Sequence, residues 1–146
     1  MTHEPDLGRY VAAQDAPAGG GATVYETAFA ELRAGSKRTH WIWFVLPQIA
    51  GLGFSPMAQR YAIADLDEAR AYLAHPVLGP RLRACVAAVN NVQGKTAHQI
   101  FGSPDDMKFR SCLTLFDRVA PGETLFRRAL DRFYPEGPDP RTLALL

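Results

Sequence analysis

One short stretch gathers more chemistry than the rest of the chain. Thr39-His40-Trp41-Ile42-Trp43-Phe44-Val45-Leu46-Pro47-Gln48 places both tryptophans beside Phe44, with His40 and Gln48 as its polar groups. An imidazole titrates near neutral pH, so His40 is the acid/base candidate of the chain, or else a satisfied structural histidine. Trp41, Trp43 and Phe44 serve either as core area or as the wall of a cleft. The next segment, Gly51-Leu52-Gly53-Phe54-Ser55-Pro56, runs two glycines into a helix start. Exposed backbone N–H groups and the positive helix end there suit a phosphate or carboxylate, although the same residues also make a plain tight turn into a capped helix. Neither a P-loop nor G-x-G-x-x-G is present, and Gly53 to Met57 lacks the second glycine of a nucleophile elbow.

A second group of polar residues follows Ser103-Pro104. Asp105 and Asp106 fall in the first turn of a helix, where carboxylates complement the helix dipole without any ligand, and Asp105 is the second acid/base candidate. Lys108, Ser111 and Thr114 recur every third residue and share a face, which is either a solvated stripe or the lining of a pocket. The site expected from these residues binds a small anionic or nucleotide-like metabolite. Trp41, Trp43, Gln48, Gly51, Gly53, Ser55, Lys108 and Ser111 would contact it, with His40 and Asp105 as catalytic groups if it is turned over by hydrolysis or group transfer. The alternative is a non-catalytic interaction module that docks a protein partner through the Trp41-Trp43 segment.

Composition narrows the remaining classes. Sixteen Lys+Arg against 15 Asp+Glu give a net charge of +1, so the long-range attraction that drives binding to nucleic-acid backbones or anionic lipid is missing. The longest apolar run, residues 41–47, is far below the roughly 20 residues of a membrane span. Met1-Thr2-His3-Glu4-Pro5-Asp6 has neither a basic nor an apolar region of a secretion signal, and the expected location is the cytoplasm. The four histidines have no i,i+4 partner and no C-x-x-C companion, so no metal is expected. No cofactor is expected either. Cys85 and Cys112 lie among apolar residues at helical spacing and read as inert buried thiols.

The elements that must position these groups are helical. With 146 residues, 47% of them hydrophobic, the chain suits one domain over residues 1–146. The punctuation predicts an all-α fold of seven to nine short helices. Thr23 with Glu26 forms a capping box that opens a helix ending at Gly35, and Asp65 with Glu68 repeats the box for a helix ending before Pro76. Pro80 suits the first position of a helix carrying Leu82, Cys85, Val86 and Val89 toward Gly94. Thr96 with Gln99 opens a short turn ending at Gly102, and Ser103-Pro104 starts the helix of Phe109, Cys112, Leu113 and Phe116. Ser55-Pro56 and Asp139-Pro140 cap two more, a helix spans Leu125 to Phe133, and a weaker one covers residues 7–14. Residues 15–22, rich in glycine, read as a flexible surface loop. Strand signals are nearly absent.

Several segments carry a family likeness. Arg9-Tyr10-Val11-x-Ala13-Gln14, Glu31-Leu32-Arg33-x-Gly35, His40-Trp41-x-Trp43-Phe44, Pro47-Gln48 and Gly51-Leu52-Gly53 are continued by Ala58-x-x-Tyr61-Ala62-Ile63 and Glu68-Ala69-Arg70-Ala71-Tyr72-Leu73-x-His75-Pro76-Val77-Leu78-Gly79-x-Arg81-Leu82. Ile100-Phe101-Gly102, Asp105-x-x-Lys108 and Thr114-Leu115-Phe116 complete the set. Across almost its whole length the chain resembles the uncharacterised bacterial family called Domain of Unknown Function 1810, some of whose members carry the misleading label calpastatin. The resemblance implies a compact helical domain and brings no reaction, substrate or cofactor. Cys112 and Leu113 stand where the family more often has Ser and Met, which argues against an essential hydroxyl at position 112.

Overall fold

The computed structural model describes residues 6–146. Residues 1–5, with His3 and most of the segment used to argue against a secretion signal, lie outside the described residues. The chain runs α1 (Gly8–Asp15), a hairpin of β1 (Pro17–Gly19) and β2 (Ala22–Thr23), then α2 (Val24–Ala34), α3 (Ile42–Val45), α4 (Pro56–Tyr61) and α5 (Leu66–Ala74). It continues with α6 (Leu78–Asn90), α7 (Ala97–Phe101), α8 (Asp105–Val119), α9 (Thr124–Phe133) and α10 (Pro140–Ala144). The all-α expectation holds, with ten helices rather than seven to nine among the described residues. The addition is α3, one turn inside the apolar run, which has neither a side-chain cap nor enough length to show a period. The glycine-rich segment forms a tight antiparallel hairpin because Gly19, Gly20 and Gly21 all take positive φ. No described helix is long and apolar enough to cross a membrane.

Much of the punctuation works as local chemistry dictates. Thr23 and Thr96 close complete capping boxes, and Gly35 ends α2 in the left-handed conformation. Ser55, Asp65 and Asp139 each accept a backbone N–H at the start of their helices. Three expectations are corrected. The Asp65 box stays half closed, because Glu68 turns away to Arg9 Nη2 (3.0 Å) and the Ala64 N–H (3.2 Å). α6 begins at Leu78, two residues before Pro80, because His75 Nδ1 accepts from the Val77 and Leu78 N–H groups, and it ends at Asn90, before Gly94. Ser103 does not cap α8, whose N-cap is Pro104 with no side-chain bond.

α8 is the axis of the molecule, packed against α5, α7, α9 and α10. Every residue from Phe109 to Asp117 is buried. Four of these are polar, so each must find a partner inside the protein. Arg110 donates to the carbonyls of Gly137 and Pro138, Asp117 takes Arg127, and Thr114 Oγ1 donates to the Arg110 carbonyl while accepting the Asp139 N–H. The stripe of Ser111 and Thr114 therefore faces α10 and not solvent. On the other side, α1 fixes α3 and α4: Tyr10 donates to the Tyr61 carbonyl at 2.7 Å, and Gln14 Nε2 to the Phe44 carbonyl at 2.7 Å.

Cys85 and Cys112 are both fully buried, as their spacing implied. Burial pushes the Cys85 thiol up to about 12 and holds Cys112 well above the usual range. Neither supplies thiolate at neutral pH, so native protein should react with a thiol reagent orders of magnitude more slowly than denatured protein. Fast labelling of either cysteine in folded protein would contradict the packing of α6 and α8.

Candidate functional site

The loop after α3 is built to hold its shape. Ile49 and Ile63 form an isolated parallel bridge, in which the Ile63 N–H donates to the Gln48 carbonyl and the Ala50 N–H to the Ile63 carbonyl. Gly51 takes a φ of 103° and lies against Leu145. Gly53 has ordinary backbone geometry. Its restriction is contact, since a Cβ there would meet the Ala58 Cβ at 2.7 Å. The contact matters for mutagenesis, because any side chain at position 53 strikes the first turn of α4 and tests packing before it tests a ligand.

Between this loop, α8 and α10 lies a cleft of ≈ 200 Å³ lined by Gln48, Leu52, Gly53, Pro104, Met107, Lys108, Ser111, Asp139 and Arg141. Gln48 and Lys108 also border a second, far smaller chamber walled by Trp43, Ile42, Leu46 and Tyr61. Lys108 joins the two. Its Nζ lies 5.3 Å from the centre of the Trp43 ring and 3.6 Å from Asp105 Oδ1. The cation–π contact holds the lysine stem along the indole. Trp43 Nε1 is enclosed and has no acceptor among the described residues.

Asp139 and Ser111 form the polar floor. Ser111 Oγ is 3.1 Å from both the Met107 carbonyl and Asp139 Oδ2, and donates to one at a time. Asp139 Oδ2 also receives Thr142 Oγ1 at 2.6 Å and the Thr142 N–H at 3.2 Å. Arg141 makes no ion pair among the described residues. The cleft thus holds two cationic side chains, one carboxylate, an amide and a hydroxyl against an apolar rim of Leu52 and Met107.

Five residues expected from the sequence meet at these two spaces: Trp43, Gln48, Gly53, Lys108 and Ser111. The other five do not line them. His40 is exposed. Trp41 is 1% exposed, its Nε1 donating to Glu31 at 2.9 Å and its face covered by Lys37 Nζ at 4.9 Å. Gly51 packs on Leu145, and Ser55 is spent on capping α4. Asp105 is drawn to Lys37 Nζ at 2.8 Å, a lysine whose side chain is 5% exposed. The catalytic pair expected from sequence therefore does not face the cleft. Asp139 and Arg141 were missed. Asp139-Pro140 was legible only as a helix cap, and nothing local reveals that α10 docks beside Lys108.

The family model described as "Protein of unknown function (DUF1810)" matches residues 4–146. Among solved structures the chain is similar to that of the conserved hypothetical protein Rv1873 from Mycobacterium tuberculosis. The two are 52% identical, the match covers 97% of this chain and 96% of the other, and the TM-score is 0.90. No curated protein matches.

Proposed function

The chain belongs to the DUF1810 family, and from that premise we propose that its cleft binds a small anionic, phosphate-bearing metabolite. The observation that carries this reading is that Lys108 and Arg141, from two helices far apart in sequence, line one small cleft with Gln48 and Ser111. Two cations sharing a concave, partly desolvated space attract an anion more strongly than either would on an open surface. The ≈ 200 Å³ of the cleft is smaller than the usual several hundred Å³ of drug-sized sites. A nucleotide would seat its phosphate there and leave its base at the rim. With His40 and Asp105 away from this space, the reading is one of binding, in a bacterial cytoplasmic protein. The rival reading, a docking module anchored by Trp41 and Trp43, is weakened because Trp41 lies in the core.

A thermal-shift screen against phosphorylated metabolites and nucleotides tests the proposal, because a ligand of the folded state raises its stability by RT ln(1 + [L]/Kd). Lys108→Met removes the charge and keeps most of the apolar stem. With a side chain 26% exposed and only a long contact to Asp105, the charge adds little to folding. The apo melting temperature should stay nearly unchanged, while affinity for the ligand found should drop roughly tenfold to a hundredfold, the effect of losing one charge-assisted bond. Unaltered affinity in Lys108→Met would remove this cleft as the site.

A further inference from the structure

Resting on the anion reading, we propose that the cleft selects a phosphate that carries a hydroxyl on its organic part, and that Asp139 is the acceptor that recognises the hydroxyl. Asp139 is 6% exposed, yet it lines the cleft. A carboxylate so enclosed needs hydrogen bonds to both oxygens. All the donors it receives go to Oδ2: Thr142 Oγ1, the Thr142 N–H and Ser111 Oγ. Oδ1 receives none among the described residues. It is also not one of the sealed polar atoms without a partner, which are Trp43 Nε1 and Asn90 Oδ1. Oδ1 is thus the oxygen of Asp139 left free for an occupant of the cleft that this residue lines.

Capping α10 does not explain the arrangement. A cap needs one oxygen, which Ser, Thr or Asn supplies about as well. Here the residue is also held by its own N–H, which donates to Thr114 Oγ1 at 2.9 Å, so the free oxygen is fixed in place before any ligand arrives. Neither Lys108 nor Arg141 forms an ion pair with it, although all three line the same space. A bare oxyanion in the cleft meets two cations but is repelled by Asp139. An anion with an O–H group satisfies all three: its charge lies toward Lys108 and Arg141, and its hydroxyl donates to Oδ1. The selection follows from an acceptor oxygen without a donor beside two cations, of which Arg141 has no ion pair among the described residues and Lys108 has only its long contact to Asp105.

Calorimetric titration of the whole protein with glycerol 3-phosphate, 1-propyl phosphate and inorganic phosphate decides the matter. The first two share a three-carbon chain and differ in the hydroxyls. Wild-type protein should bind glycerol 3-phosphate at least tenfold more tightly than propyl phosphate. Asp139→Asn keeps an oxygen for Thr142, turns an amide N–H toward the cleft and removes the charge. It should erase that ratio and bind inorganic phosphate more tightly than wild type does. Equal wild-type affinities for the two esters, or a ratio that survives in Asp139→Asn, would overturn Asp139 as the selector while leaving the anion site standing. Binding of none of the three would overturn both readings. Equal wild-type affinities for the two esters overturn the selection even if the variant folds poorly.

Discussion

Gly79→Ala should destabilise the protein by about 2–4 kcal/mol, since overpacking typically costs about 1–3 kcal/mol and more against rigid backbone. In an ordinary helix the same change helps, because glycine is about 1 kcal/mol worse than alanine there. Position 79 is not ordinary. A Cβ would sit 2.2 Å from the Leu73 carbonyl oxygen, 3.1 Å from its carbon and 2.9 Å from Arg83 Nη1. The first two atoms are main chain at the end of α5, and Arg83 Nη1 is itself held by that carbonyl at 3.2 Å. The corner between α5 and α6 has no slack, since the His75 ring binds the first N–H groups of the turn and the Gly79 N–H donates to the His75 carbonyl at 3.0 Å. Urea denaturation gives the difference directly, with Gly122→Ala, where a Cβ meets nothing within 4 Å, as the neutral control. A Gly79→Ala protein as stable as wild type would show that the two helices do not approach so closely.

The second large effect is expected at Glu31, which closes the segment after α2 onto that helix. Its Oε1 accepts from the Arg38 N–H at 2.8 Å, the Thr39 N–H at 3.0 Å and Trp41 Nε1 at 2.9 Å, while Oε2 takes Thr39 Oγ1 at 2.7 Å. Water can replace the carboxylate at the exposed Thr39 end, but not readily at the buried indole. Glu31→Ala should therefore cost about 2–3 kcal/mol, the usual range for losing a charged hydrogen-bond partner of a buried donor. Burial pushes the Glu31 carboxyl up, but the bonds from Thr39, Arg38 and Trp41 outweigh it and hold it below its ordinary 4.5. A carboxyl lowered on folding stabilises fully above its unfolded pKa, and the contribution is lost as pH falls through the folded value. Melting temperatures between pH 3 and 7 should fall at the acid end in wild type, and less steeply in Glu31→Gln. Parallel profiles would mean that Glu31 is not held ionised by these bonds.

What could be read from the sequence was whatever is settled within one turn of chain. Thr23 with Glu26, Thr96 with Gln99, and Ser55-Pro56 satisfy their own neighbours, so their spacing was sufficient. Readings failed where a partner from elsewhere won. Glu68 left its capping box for Arg9, and the His75 ring started α6 before Pro80 could. The same division runs through the site. Gln48 and His40 share one unusual stretch, and Lys108 and Asp105 share one helix start, so local pattern cannot tell which of each pair faces the cleft; tertiary packing leaves His40 exposed and ties Asp105 to Lys37. Arg141 belongs to the cleft only because Thr114 and Ser111, buried on α8, bind the Asp139 end of α10.

That dependence makes the last helix and the cleft one unit of local stability. α10 is five residues long and is held by the Asp139 bonds, by Arg110 on the carbonyls just before it, and by Leu145 on Gly51. A helix this short, held by so few bonds, opens far more often than a long core helix does. When α10 opens, Asp139 and Arg141 leave together and two of the five polar groups of the lining go with them. The measured affinity is then the intrinsic one scaled by the fraction of molecules with α10 docked. Conversely, an occupant that bridges Lys108 and Arg141 staples the helix down. Amide hydrogen exchange over residues 142–145 should slow on occupancy, which gives the site a readout that requires no turnover and no chromophore.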